Sequence, residues 1–224
     1  MKGHLFHPPT RSLPYRLLLV PFFVDRSSFS GLQKKARRCS KLLHADLLEF
    51  DDFAVIANFM GYPFLLTMLE HVEGIGEKEI FFLGTAGAIG TGTKKPQALN
   101  VVSVTGSGSL KRFTRKGGLE LKHLPFSFLK SASAVSVDIP QRESRSWVRG
   151  EIGKRTAVVE MELFPLRVFL GKPFVALVVT TEMVSASGIQ PFADREAVRV
   201  EFRRALGFVM ELIAHENGHP QQAV

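Results

Sequence analysis

Glu79-Ile80-Phe81-Phe82-Leu83-Gly84-Thr85-Ala86-Gly87-Ala88-Ile89-Gly90 sets an apolar run directly against a glycine-rich segment. Apolar residues without polar alternation mark a strand covered on both faces. The small residues that follow predict a tight turn at the strand's carboxyl end. Backbone N–H groups at Gly84–Gly87 are then open to a hydroxyl or an anion. No Gly-Lys-Ser/Thr follows, so the segment is not a P-loop, and its spacing and downstream residues do not make a dinucleotide fingerprint. Taken alone, it is also an ordinary structural turn.

Similar runs lie on either side. Tyr15–Val24, Phe53–Asn58, Ala98–Val104, Ala132–Asp138, Thr156–Glu160 and Phe174–Thr180 all read as strands. Between them, Ser27–Leu43 predicts a basic surface helix, and Pro63 suits the first turn of a helix running to Val72. Met161–Leu170 predicts a helix strained by Pro165. Asp194 caps a long final helix whose apolar positions, from Val198 to Ile213, keep helical spacing. Gly106–Gly118 predicts a mobile loop, and Trp147 an anchor for the polar stretch Gln141–Lys154. Buried strands alternating with helices argue for an α/β protein with a mixed or mostly parallel sheet covered on both faces. Residues 1–15 read as a loose extension, 16–216 as one domain and 217–224 as a frayed tail.

The chain has 224 residues with 29 basic against 21 acidic, a formal net charge of +8. That excess favours anionic partners. The basic stretches Lys34–Lys41 and Lys111–Lys116 lack interleaved aromatics except Phe113, so no nucleic-acid module is legible. No apolar run reaches the roughly 18–20 residues of a membrane span. The single cysteine, Cys39, fits a reducing, cytoplasmic setting.

Two further segments place carboxylates at strand ends. In Val159-Glu160-Met161-Glu162 an acid just after a strand accepts hydrogen bonds from a diol such as ribose, or complements a helix dipole. In Thr180-Thr181-Glu182 a partly desolvated acid is either a general acid with a raised pKa or a loop residue.

The pieces FFLGTAGAIG (Phe81–Gly90), VVEMELFPL (Val158–Leu166) and KPFVALVVTTE (Lys172–Glu182), in this order, resemble the nucleoside phosphorylase/nucleosidase superfamily. The resemblance implies a three-layer α/β/α fold whose mixed central sheet is partly closed into a barrel. It implies cleavage of the N-glycosidic bond of a nucleoside by water or phosphate. Met161 and Glu162 then hold the ribose, and Glu182 protonates the purine, with Thr181-Glu182 standing where the family has Ser-Asp. Gly84, Thr85, Ala86 and Gly87 line the substrate, and Pro140 packs on the base where the family often stacks a phenylalanine.

Phosphorylases of the family carry an arginine shortly before the glycine-rich segment and a Gly-Asp-x-x-Arg-like loop after the first strand. Here those places hold Phe82 and Pro21–Asp25. Asp25 stands where the hydrolytic branch has a water-positioning acid. The resemblance therefore favours a hydrolase of the methylthioadenosine/adenosylhomocysteine or futalosine type, with Arg26 as the residue that would favour phosphate. A phosphorylase and a non-catalytic nucleoside-binding protein are the alternatives. No cofactor or metal is implied, and the partners implied are a nucleoside and a second copy of the chain. The apolar content of Phe59–Met68 serves either that pairing or internal packing.

Overall fold

The structure is a computed structural model and describes residues 10–90, 95–114, 117–126, 129–138 and 144–215. Pro140 and the tail 217–224 lie outside the described residues.

Among the described residues eleven strands join into one sheet. In chain order they are β1 (Arg16–Val20), β2 (Arg38–Leu42), β3 (Ala45–Glu49), β4 (Phe53–Ala57), β5 (Glu79–Ile89), β6 (Ala98–Gly106), β7 (Leu119–Glu120), β8 (Lys130–Ser136), β9 (Val158–Glu160), β10 (Val175–Ser185) and β11 (Gly188–Pro191). The helices are α1 (Arg26–Lys35), α2 (Tyr62–Glu70), α3 (Arg145–Gly153), α4 (Leu163–Leu170) and α5 (Arg195–His215). β4, β1, β5 and β10 run parallel in succession, whereas β6 pairs antiparallel with β10 and β9 with β5. β6, β8 and β9 are parallel to one another. The ring β5–β10–β6–β8–β9–β5 closes on itself, so the mixed sheet is partly a barrel.

Alternate side chains of the central strands feed two cores. Leu17, Leu19 and Phe82 pack with Leu65 and Met68 of α2 and Leu163 and Leu166 of α4. Leu18, Val20, Phe81 and Leu83 pack with Leu32 of α1 and Phe202, Leu206 and Val209 of α5. Helices on both faces give the three-layer α/β/α architecture. They also explain why these strands read as continuous apolar runs.

Several expectations need correction. The glycine-rich segment is not a turn: β5 continues through it to Ile89. Likewise Thr180-Thr181-Glu182 does not follow β10 but sits within it, at a bulge where the pairing with β5 skips Thr181. The basic helix stops at Lys35, and Arg38–Leu42 forms an edge strand instead. Pro165 is the third residue of α4, within the first turn, where its missing N–H has no helical partner to lose. Gly108–Phe113 is a 3-10 helix rather than part of a mobile loop.

The N-terminal extension is docked from Arg11 onward. Arg11 bridges to Val72 and its guanidinium lies 2.6 Å from Glu49, while Leu13 joins the core. Trp147 does anchor α3, through a 3.0 Å bond from its indole N–H to Ser107 Oγ. Asp194 Oδ1 accepts the amide of Ala197 at 2.8 Å, as a helix cap does.

Candidate active site

A cleft of about 280 Å³ opens at the carboxyl ends of the parallel strands. Thr85, Ala86 and Gly87 of β5 form its back wall, and Thr181 and Glu182 of β10 one side. Glu160, Met161 and Glu162, where β9 leads into α4, form the opposite side. Pro21 and Phe22 after β1, with Phe59, Met60 and Gly61 after β4, supply an apolar rim.

The glycine in this wall is required by packing. A Cβ on Gly87 would stand 2.6 Å from Val184 Cγ2 and 3.1 Å from Val159 Cγ1. It would also lie 3.5 Å from Cγ of Glu182, the residue paired with Gly87 across the sheet. Gly61, with φ of +72°, turns the chain between β4 and α2 in the left-handed region that other residues avoid.

The turn that presents Glu162 is held by Glu160, a buried carboxylate. Oε2 of Glu160 accepts the amides of Glu162 at 2.6 Å and Leu163 at 2.7 Å. Oε1 accepts the hydroxyl of Ser136, whose oxygen in turn accepts the amide of Phe164 at 2.8 Å. Burial pushes the Glu160 carboxyl up, against these hydrogen bonds, which favour its charge. Glu162 is pushed up to about 8, first by burial and then by the charge of Glu160, while the amides of Met161 and Gly61 oppose the shift. Glu182 is half-buried, and that burial raises its pKa. A carboxyl so raised holds a proton closer to neutral pH, as a general acid must.

Thr85, Ala86, Gly87, Met161, Glu162, Thr181 and Glu182 therefore meet at one cleft. Gly84 lies one residue deeper in β5, against the Phe82 ring, and does not line it. Asp25 is not brought to the cleft. Its carboxylate caps α1, accepting the amide and hydroxyl of Ser27 and the hydroxyl of Ser28, with Arg203 at 3.5 Å. Burial alone would raise its pKa, but the serine bonds and the Arg203 charge outweigh it and hold the carboxyl low. The water-positioning role expected of Asp25 has no geometric support, because its oxygens are spent on the helix cap. Arg26 lines a neighbouring apolar groove with Phe22 and Met60 rather than the cleft.

Reading the sequence missed Glu160, which looked like one more strand residue, and the apolar rim. The pairing of an internal apolar strand with a terminal acid was the one available signal for Glu160. Phe59, Leu65 and Met68 are buried internally, so of the stretch offered as a pairing surface it is Met60, 89% exposed, that stands out to solvent. Among the described residues no helix is long and apolar enough to cross a membrane. Nor, among those residues, does any group of three His, Cys, Asp or Glu side chains form a candidate metal site.

A closed barrel within an α/β/α sandwich, with its cleft at the ends of β5, β9 and β10, is a fold this chain shares with solved nucleosidases and a nucleoside phosphorylase. The chain is similar to futalosine hydrolase of Helicobacter pylori, with a TM-score of 0.67 and 14% identity over 91% of this chain and 99% of that one. It is similar to the 5'-methylthioadenosine/S-adenosyl homocysteine nucleosidase of Campylobacter jejuni, with a TM-score of 0.66 and 14% identity over 91% and 99%. Uridine phosphorylase of Schistosoma mansoni, solved with thymidine, gives a TM-score of 0.63 and 14% identity over 92% and 87%. No family model and no curated protein matches the sequence.

Proposed function

We propose that this protein hydrolyses the N-glycosidic bond of a purine nucleoside, of the methylthioadenosine/adenosylhomocysteine or futalosine type, and releases the free base. The observation that carries the reading is the meeting of Met161, Glu162 and Glu182 around one cleft backed by β5, with burial favouring the protonated form of Glu182. Structural likeness to two nucleosidases and a nucleoside phosphorylase supports the reaction class.

In this reading Met161 packs on the ribose and Glu162 bonds its hydroxyls. Glu182 gives its proton to the purine as the bond from C1′ to the base breaks and its electron pair leaves with the base. The transition state resembles a ribosyl cation, and the carboxylate left on Glu182 as its proton passes to the base stands beside it. Water then adds at C1′, and its proton returns through solvent to Glu182. No lysine or arginine lines the cleft among the described residues, which favours water over phosphate. The protein acts in the cytoplasm as a homodimer, with Phe22 and Met60, 63% and 89% exposed, on the paired face.

The test is release of free base from a nucleoside panel, with and without phosphate. Release independent of phosphate is expected. Turnover only with phosphate points to a phosphorylase, and binding without release to a non-catalytic member.

A further inference from the structure

A second cavity, of about 550 Å³, lies apart from the cleft and, among the described residues, shares no lining residue with it. It opens beyond the carboxyl ends of the parallel pair β6 and β8, between the 3-10 helix Gly108–Phe113 and the end of α3. Ligands favour such strand ends in α/β sheets, and the volume is that of a small-molecule site.

Its floor is apolar and its walls are cationic. Val135 of β8 and Phe164 of α4, both buried, form the floor. Lys111 enters from the 3-10 helix and Lys154 from the end of α3. Lys111 is exposed and makes no hydrogen bond or ion pair with the described residues. Lys154 Nζ lies 2.8 Å from Oε1 of Glu151, the one carboxylate in the lining among those residues. Oε2 of Glu151 accepts the Thr156 hydroxyl at 2.8 Å, so both carboxylate oxygens are satisfied within the protein. An ammonium has three donors, which leaves Lys154 two for a ligand. Ser107 adds a hydroxyl, whose oxygen accepts the indole N–H of Trp147 at 3.0 Å and whose own proton has no acceptor among the described residues.

Two ammonium groups thus outweigh one occupied carboxylate, above a floor of a phenyl ring and a valine. That pairing suits a ligand with both an anionic group and an apolar body. A phosphate monoester brings about two negative charges at neutral pH and three acceptor oxygens, which lysine binds as a point charge. Inorganic phosphate alone leaves the floor uncovered.

We propose that this cavity is a second ligand site that takes a small organic phosphate monoester, with Lys111, Lys154 and Ser107 on the phosphate and Val135 and Phe164 under the organic part. The inference stands independently of the nucleoside reading, because no residue of the cleft enters it.

Trp147 is the only tryptophan of the chain, and its bond to Ser107 makes its fluorescence a reporter of this cavity. The experiment titrates the protein with phenyl phosphate, inorganic phosphate and phenol, reading affinity by calorimetry and Trp147 emission on the same samples. Phenyl phosphate is expected to bind about tenfold tighter than either of its halves, with a saturable change in Trp147 emission. Lys111→Ala, at an exposed position, should weaken it about tenfold, whereas Lys34→Ala on α1 should leave it unchanged. No binding of phenyl phosphate, or binding that leaves Trp147 emission unmoved, overturns the proposal. Equal affinity for inorganic phosphate makes the cavity a plain anion site, and equal affinity for phenol an apolar one; either result overturns the ester. Unchanged affinity in Lys111→Ala, or displacement of phenyl phosphate by adenosine, places the probe elsewhere and overturns the site.

Discussion

Glu160 and Leu163 are joined by a 2.7 Å hydrogen bond from the Leu163 amide to Oε2, and this bond closes the turn on which Glu162 stands. The same oxygen takes the Glu162 amide, so one buried carboxyl satisfies two of the N–H groups left open at the start of α4. Glutamine keeps the shape and an accepting oxygen, and burial already disfavours charge here. Glu160→Gln is therefore expected to unfold within about 1 kcal/mol of wild type, whereas Glu160→Ala loses about 2–4 kcal/mol because buried donors are stranded. Urea unfolding of the two variants measures the difference.

The raised carboxyl of Glu162 makes stability depend on pH. Between the ordinary value of 4.5 and about 8 the folded protein keeps a proton that the unfolded chain has released. Stability then falls as pH rises through that window and levels out above it. Glu162→Gln removes this contribution, so its urea midpoint should vary less between pH 5 and 8 than that of wild type. An unchanged dependence would contradict the burial assigned to Glu162.

Asp25 is a helix cap, not a member of the cleft. Asp25→Ala should cost about 1 kcal/mol of stability, the usual effect of losing such a cap. Base release by the folded variant should stay within a factor of about three of wild type. The carboxyl is held low, so its stabilisation is present above the ordinary value of 3.8 and is lost as pH falls through its folded pKa. Loss of turnover in folded Asp25→Ala would restore the water-positioning role.

Gly87 separates two strands that touch. In Gly87→Ala the new methyl meets Val184 at 2.6 Å and Val159 at 3.1 Å, and overpacking of this kind costs about 1–3 kcal/mol. Val184→Ala opens the tighter contact. The double variant should therefore be more stable than the sum of the two single effects predicts, and a double-mutant cycle by urea unfolding reads the coupling.

How much of this was legible beforehand depended on where local signals agreed with tertiary ones. The layers were readable because β1, β4, Ile80–Leu83 of β5 and Val175–Val179 of β10 are buried on both faces and so form apolar runs. The hairpin of β2 and β3 was not, because Arg38-Cys39-Ser40-Lys41 at the sheet edge faces solvent and has helix-like polarity. Gly84–Gly87 looked like a turn because glycine weakens strands in isolation. Here it continues one, since only a residue without a side chain fits between Val184 and Val159. Met161, Glu162 and Glu182 stand together at a cleft, as their motifs suggested, while Asp25 lies apart from it, because sequence does not reveal that two serines and an arginine consume its carboxylate.

In the proposed reaction protonated Glu182 drives departure of the purine. Glu182→Gln keeps the size and polarity of the side chain but has no proton to give. The deciding measurement is the rate of free-base release from purine nucleosides in phosphate-free buffer, wild type against Glu182→Gln, with nucleoside binding measured on the same samples. Release by wild type and a loss of at least about 100-fold in the variant, with binding retained, are expected. Equal rates in the two proteins, or no release by wild type from any nucleoside, would contradict it.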